Sequence, residues 1–345
     1  MALFDRVAAA LFGDKAGSAD AAAERKLVAE MTEAVVDAVE PRVRLHSRYR
    51  EKLDQPVRQA IGYLRGLGRQ PLEPVPLSKA AWASDPRVNA FFGTADSVAA
   101  CLGRSPELRS FFDKAENAGV QEAYALLGMK KEERNVLGME LKGDAVQRDV
   151  AQVQVSFSGH RIVAPAATPA AARLEVGRRI LLRLAQVALA RIVAAESKAT
   201  ELAQHKSYLA SRMRVLQLAR DGMQGVVEDP AKIGEEMKAL EREMKETVEG
   251  YAETKGRLAT LEGYLEHIDE VFSHPQQHVS LSHTPLRISR LGVRVEGEAS
   301  GPVNELALAE LTLGEGFRAA IAIVQCPRAG LVSKEELIAQ AERSL

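Results

Sequence analysis

The sequence predicts an α+β protein, mainly α, with a helical N-terminal region and a small antiparallel β domain interrupted by a long antiparallel coiled-coil hairpin. Three observations favour this architecture. Apolar residues recur with a seven-residue repeat in two blocks between residues 172 and 273. On both sides of these blocks, apolar and polar residues alternate as they do in strands. Before them, apolar residues recur with the spacing of a helix. Only 5% of the residues are aromatic and 27% are charged, which is typical of chains rich in helix.

The hairpin is predicted from two apolar seams. Steps of four and three residues along the first helix select thirteen positions from Leu181 to Met223, and eleven of them are apolar. The same steps along the second helix select twelve positions from Ile233 to Phe272, of which ten are apolar. A strict repeat of this length predicts a left-handed supercoil. Glycines and an Asp-Pro pair at 229–230 separate the blocks and predict the reversal.

The charges of the two predicted helices are complementary. Residues 173–227 contain ten Lys and Arg against four Asp and Glu, a net charge of +6, whereas 228–270 contain six against thirteen, a net charge of −7. A reversal about residue 228 places Arg212 near Glu241 and Glu243. Each exposed pair contributes only a few tenths of a kcal/mol, so we expect the charges to set register and partner choice more than stability.

Region 1–141 is expected to be helical, with an extended proline-rich linker near 70–78. The pattern predicts one short helix near the N-terminus and another through Leu27 and Met31, whose spacing is helical. The last helix of the region is expected at Val120–Leu127.

The β domain is expected to comprise 148–171 and 276–345, with the hairpin at 172–273 inserted between its strands. Before the hairpin, Val153–Phe157 alternates as a strand, a turn is expected at Ser158–His160, and Arg161–Val163 returns as the partner. A capping-box spacing at Ser333 predicts a short C-terminal helix. Separate β elements on each side of the hairpin are the alternative to one domain. The strands expected after the hairpin are Val279–Leu281, Leu286–Val295, Leu306–Leu313 and Phe317–Gln325.

An apolar group at the predicted hairpin tip is the candidate protein-interaction site. Methionines adapt their shape to partners, and an apolar tip on a long projection suits a contact point. Internal packing of the turn explains the same residues equally well. The group comprises Met223, Val226, Val227, Ile233 and Met237.

Three histidines near the end of the hairpin are weak candidates for metal ligands. His274, His278 and His283 lie close to Asp269 and Glu270 in sequence, and such groups bind transition metals. Their spacing matches no closed metal site, and Pro275 is expected to break the helix that would align them. We therefore expect no metal and no cofactor.

Two other binding modes are weighed and disfavoured. The segment 42–69 contains eight Lys and Arg against two acids, with Tyr49 and Tyr63 interleaved, a pattern that can grip a phosphate backbone. A solvated or docked helix face is the commoner explanation, so nucleic acid is not expected. The N-terminal helix is short and has few basic residues, so any membrane contact is expected to be peripheral at most.

The sequence contains no recognisable enzyme motif: no GxxxxGK[ST], GxSxG, HExxH or CxxC, and no GxGxxG after a strand. Two cysteines far apart in sequence and a start unlike a signal peptide predict a cytoplasmic protein. The predicted function is a non-enzymatic structural or adaptor protein whose coiled coil binds a protein partner or a second copy. The alternative is a ligand-responsive module in which the β domain senses and the coiled coil relays. An enzyme with a scattered site is a third, weaker option.

The strand–hairpin–strand order resembles that of periplasmic adaptor proteins of efflux pumps, and a β domain joined to heptad helices resembles PilZ-type signalling modules. Arg179 and Arg183 have the RxxxR spacing of the second family, but the companion [DN]xSxxG motif is missing and no lipoyl-like half-motif of the first is present. Neither resemblance assigns a family.

Overall fold

The computed structural model describes residues 20–68, 72–142, 145–221, 230–295, 302–314 and 316–331. These residues divide into two compact units. The first consists of the described residues within Met1–Leu27, Ile61–Leu181 and Pro275–Leu345, and the second of those within Val28–Ala60 and Leu182–His274.

The described secondary structure is a set of helices and strands in mixed order. The helices are α1 Asp20–Val39, α2 Tyr49–Gly68, α3 Lys79–Ser84, α4 Pro86–Phe91, α5 Ala95–Gly103, α6 Pro106–Phe112, α7 Pro169–Asp221, α8 Pro230–Leu258 and α9 Leu261–Ser273. The strands are β1 Val75–Pro76, β2 Glu122–Lys142, β3 Ala145–Ala166, β4 Val279–Ser289, β5 Val303–Leu313 and β6 Phe317–Pro327.

One sheet contains strands from both sides of the helical insertion. Its order is β3-β2-β6-β5-β4 with antiparallel pairing, and the short β1 adds a parallel pair to β6. Since β3 precedes the inserted helices and β4 follows them, the prediction of a β domain interrupted by long helices is confirmed. The sequence pattern also identified the central strand β6, in which residues 319–324 are all buried.

The helix predicted at Val120–Leu127 is wrong, because this segment belongs to β2. Residues 122–129 pair with β6, and that pairing satisfies the backbone groups that a helix would satisfy locally. Ala123, Ala125 and Leu127 all face the core and are fully buried. Their two-residue alternation is strand periodicity, but alanine and leucine favour helix in isolation.

The turn predicted at Ser158–His160 is also wrong. Strand β3 continues through these residues, with Gly159 at φ 62°. The β2–β3 register shifts here, because the pair Gly128–Arg161 is followed by Lys130–Ser158. Three residues of β3 therefore match two of β2, which makes the glycine part of a β-bulge.

Two smaller expectations are made more specific by the structure. The linker near 70–78 contains β1, and Leu77 N–H donates to Gln325 O. The two strands expected at Val279–Leu281 and Leu286–Val295 are mostly one strand, β4, which ends at Ser289. Pro285 is tolerated within it because β4 ends the order of the described strands, and the isolated bridge on its other side, between Ile288 and Arg294, lies beyond the proline.

Helices α3–α6 cover one face of the sheet. Their largest buried side chains include Phe92, Leu102 and Phe112, which pack with alternate residues of β2 and β6. Side-chain caps begin each of these short helices, as Asp85 and Ser105 illustrate. The first unit thus has a helix layer on one sheet face, and the parts of α2 and α7 that belong to this unit lie on the other face.

In the second unit, α7 packs antiparallel against α8 and α9. Every apolar seam position predicted from the heptads is buried or half-buried where its side chain is described. The predicted second helix is nevertheless two helices, since the chain leaves helical geometry after Leu258 and Thr260 caps α9. The left-handed supercoil stays a prediction. The helical segments predicted from residues 1–19 and from Ser333 lie outside the described residues.

Candidate functional site

Two of the five candidate tip residues are described, and both are buried. Ile233 is 4% exposed and Met237 is 9% exposed, which places them in the seam between α7 and α8. Met223, Val226 and Val227 lie outside the described residues. Whether the tip contacts a partner therefore stays a prediction that rests on these three side chains.

A second apolar surface on the hairpin was not identified from the sequence. Tyr208, Val215 and Leu218 of α7 are 57%, 63% and 69% exposed. Their spacings of seven and three residues place them along one side of the helix, and we call these three residues the α7 stripe. The signal was present in the sequence, because an apolar residue also precedes the seam residues Leu209 and Leu216.

Basic side chains of α7 lie beside the α7 stripe. Acidic side chains of α8 lie opposite these basic side chains. Arg212 Nη2 lies 2.6 Å from Glu236 Oε1, and this hydrogen bond raises the pKa of Arg212. One helical turn beyond the stripe, His205 Nε2 lies 3.0 Å from Glu243 Oε1. Lys206 lies over the ring of Tyr251. The predicted attraction between a basic and an acidic helix is therefore present in the described part of the hairpin.

Three cations of the basic segment form ion pairs within the second unit. Arg44 and Arg50 both pair with Glu33, at 3.0 and 2.9 Å. Lys52 pairs with Glu262 of α9. These ion pairs hold neighbouring helical segments together, and the expectation that the segment does not bind nucleic acid stays a prediction.

The three candidate metal-binding histidines belong to different units. His274 follows α9 in the second unit, where its Nδ1 lies 3.1 Å from Glu270 O. His278 and His283 belong to the first unit, and His283 is exposed on β4 opposite Ala309. Among the residues that the structure describes, no group of three His, Cys, Asp or Glu side chains is placed to hold a metal ion.

The first unit contains an apolar cavity of about 70 Å³ between helices and sheet. It lies on the sheet face opposite α3–α6, under the last turns of α2 and the first turns of α7. Its polar side chain is Arg173, whose Nη2 donates to Leu72 O at 3.1 Å. We call this space the apolar cavity. It is lined by Leu64, Leu67, Gly68, Leu72, Leu126, Arg173, Val176, Gly177, Ile180, Leu281, Leu311, Ile321 and Ile323.

Buried titratable groups elsewhere in the first unit favour structural roles. The Glu310 side chain is 4% exposed; burial raises its pKa, but hydrogen bonds from Arg318 and the charge of Lys131 outweigh this and hold it below its usual value. Burial raises the pKa of Cys101 to about 11, and that of Cys326 further. A thiol with so high a pKa is a poor nucleophile near neutral pH.

No protein-family model, no curated protein and no solved structure is significantly similar to this chain. Across the described residues, no helix combines the length and the apolar character required to cross a membrane. The candidate sites are therefore the α7 stripe and the apolar cavity, and both are defined by geometry alone.

Proposed function

We propose that this chain is a non-enzymatic structural or adaptor protein that acts in the cytoplasm, and that its hairpin binds a helical protein surface. A second copy of the chain is the partner that the charges favour. The observation behind this proposal is the α7 stripe: the seam of the hairpin is already satisfied by α8 and α9, yet three large apolar side chains stay exposed beside it. Regular exposed apolar spacing on a helix is typical of a surface that packs against another helix.

Charge supports a second copy as the partner. The stripe belongs to the basic helix of the hairpin, so a matching surface should be apolar with acidic neighbours. Helix α8 of another copy meets this requirement, since Glu241, Glu246 and Glu249 are exposed beside half-exposed Val248. In such a dimer, the basic α7 of each copy would lie beside the acidic α8 of the other copy.

The expected association is weak. Burying the exposed parts of three such side chains stabilises a complex by roughly 3–5 kcal/mol. The loss of translational and rotational freedom costs roughly 4 kcal/mol or more. The stripe therefore needs flanking ion pairs, and we expect association that depends on both protein and salt concentration.

Light scattering coupled to size exclusion tests the proposal on the full chain. The stripe variant combines Tyr208→Gln, Val215→Gln and Leu218→Gln. The matched control, Leu45→Gln with Leu291→Gln, changes exposed apolar residues that lie outside the hairpin. We expect an oligomer for the wild type and the control, and a folded monomer for the stripe variant. A wild type that is monomeric at every concentration, or a control that also dissociates the oligomer, would contradict this assignment.

A ligand-responsive regulatory module is the second candidate function. The observation that favours it is that α7, which forms the first half of the hairpin, also lines the apolar cavity through Arg173, Val176 and Ile180. A small molecule that raises the melting temperature of the chain would support this function over a purely structural one.

A further inference from the structure

The apolar cavity has the composition of a site for a small amphiphile. Its walls are leucine, isoleucine, valine and glycine, and its sheet side is formed by three neighbouring strands through Leu126, Ile321 and Leu311. Water gains few hydrogen bonds along apolar walls of this kind. An apolar group is therefore its favoured occupant.

Arg173 gives the cavity a polar end. Its side chain is only half-exposed, and one of its N–H groups is used by Leu72 O. Within the described part of the chain, no carboxylate lies within ion-pair distance of its guanidinium. Five N–H donors are available on a guanidinium, so most of them can still receive an anion.

We propose that the first unit binds a short aliphatic monocarboxylic acid, with its tail in the apolar cavity and its carboxylate on Arg173. A guanidinium matches the two oxygens of a carboxylate in a bidentate hydrogen-bonded pair. The apolar tail gains the burial that the cavity walls offer. This inference is independent of any partner of the hairpin, and it supplies a ligand class for the second candidate function.

The volume limits the length of the tail. An engineered apolar cavity of 150 Å³ in another protein accepts benzene, with six carbons. About half that volume is present here, at 70 Å³, so the cavity holds about three carbons. Four- and five-carbon acids, linear or branched, are thus the best fit, and longer tails extend beyond the cavity.

The test is a titration of the full chain with a homologous series from acetate to octanoate, and with 1-butanol as a neutral probe, followed by methyl NMR shifts. We expect affinity to rise about fourfold for each methylene up to pentanoate, and then to level off. Butanoate should bind more tightly than 1-butanol. No saturable shift with any acid, or equal binding of acid and alcohol, would overturn the proposal.

Two variants separate the head group from the tail. Arg173→Met should weaken pentanoate binding about tenfold or more, because a hydrogen bond to a charged group is lost, and should leave 1-butanol binding unchanged. Gly177→Leu should weaken the acid and the alcohol together, since it fills the cavity. Unchanged pentanoate binding by Arg173→Met would overturn the proposal even if Gly177→Leu fails to fold. If either variant gives a different result, the proposal for the α7 stripe is unaffected, because that proposal is tested by the oligomeric state.

Discussion

Arg212 of α7 and Glu236 of α8 form an ion pair of 2.6 Å that marks the register of the hairpin. The charge pattern alone predicted Glu241 and Glu243 as neighbours of Arg212, about one heptad away. A double-mutant cycle between Arg212→Gln and Glu236→Gln should give a coupling energy of roughly 0.2–1 kcal/mol. The matched cycle between Arg212→Gln and Glu243→Gln should give none. Coupling in the second cycle and not in the first would contradict the observed register.

The register was not predictable because exposed ion pairs are weak and several pairings give similar energies. The seam was predictable because its period is local: Leu181 and Leu209 are buried at the expected steps.

The break between α8 and α9, where the hairpin ends, was not predicted. Three heptads of α7 separate Arg191 from Arg212, yet nearly five separate their partners Glu270 and Glu236. Two straight antiparallel helices would have equal numbers of residues between two such ion pairs. The additional residues between Glu236 and Glu270 are therefore accommodated at the break after α8.

That break depends on a glycine. A β-carbon at Gly263 would overlap the carbonyl oxygen of Arg257, because the first turn of α9 passes directly over the end of α8. Gly263→Ala should therefore lower the free energy of unfolding by more than about 2 kcal/mol, measured by denaturant titration. Gly256→Ala is the control, since a β-carbon added there would have no atom within 4 Å outside its own helix backbone and its chain neighbours, and there alanine should be neutral or slightly stabilising. Equal effects of the two variants would contradict the close approach.

The buried carboxylate of Glu310 should depend on its cations. Lys131 Nζ lies 3.3 Å and Arg318 Nη2 lies 2.9 Å from its oxygens. Lys131→Met removes one partner and should lower the free energy of unfolding by about 1–3 kcal/mol. Changing Glu310→Met in the same chain should restore most of the loss, because no uncompensated charge is then buried. A double variant that is less stable than Lys131→Met alone would argue against this reasoning.

His160 should make stability depend on pH near neutrality. Its Nε2 lies 2.7 Å from Phe91 O, and its ring stacks on Phe92. Burial lowers the pKa of His160, more than the hydrogen bond to Phe91 raises it. The unfolded chain, with a histidine pKa of about 6.5, then binds the proton more readily than the folded one.

The neutral side chain of His160 therefore makes its full contribution to the free energy of unfolding above about pH 6.5. That contribution is lost as the pH falls through the lower pKa of His160 in the folded chain. Unfolding free energies of the wild type and of His160→Gln, measured from about pH 7.5 to pH 5, should converge as the pH falls. Gln keeps an N–H donor for Phe91 O and does not titrate. A constant or growing difference on acidification would show that the sign is wrong.

Several features of the β sheet and of the two candidate sites depend on contacts between distant segments, which the sequence alone does not show. Strand β2 was mistaken for helix because Ala123 and Leu127 form a strand only through pairing with the distant β6. The α7 stripe was overlooked because one seam already explained the heptads. The apolar cavity joins residues of two helices and four strands that are far apart in the chain, so no local pattern marks it.

The most direct test of the proposed function is the distance between α7 stripes of two copies. Ser211 is exposed and lies between Tyr208 and Val215, so a nitroxide on Ser211→Cys in the full chain reports the stripe by dipolar spectroscopy; Cys326 is buried and Cys101 partly so. The account predicts a short intermolecular distance that vanishes when unlabelled chain is added in excess. An oligomer without intermolecular coupling at this position, or a chain that stays monomeric, would contradict it.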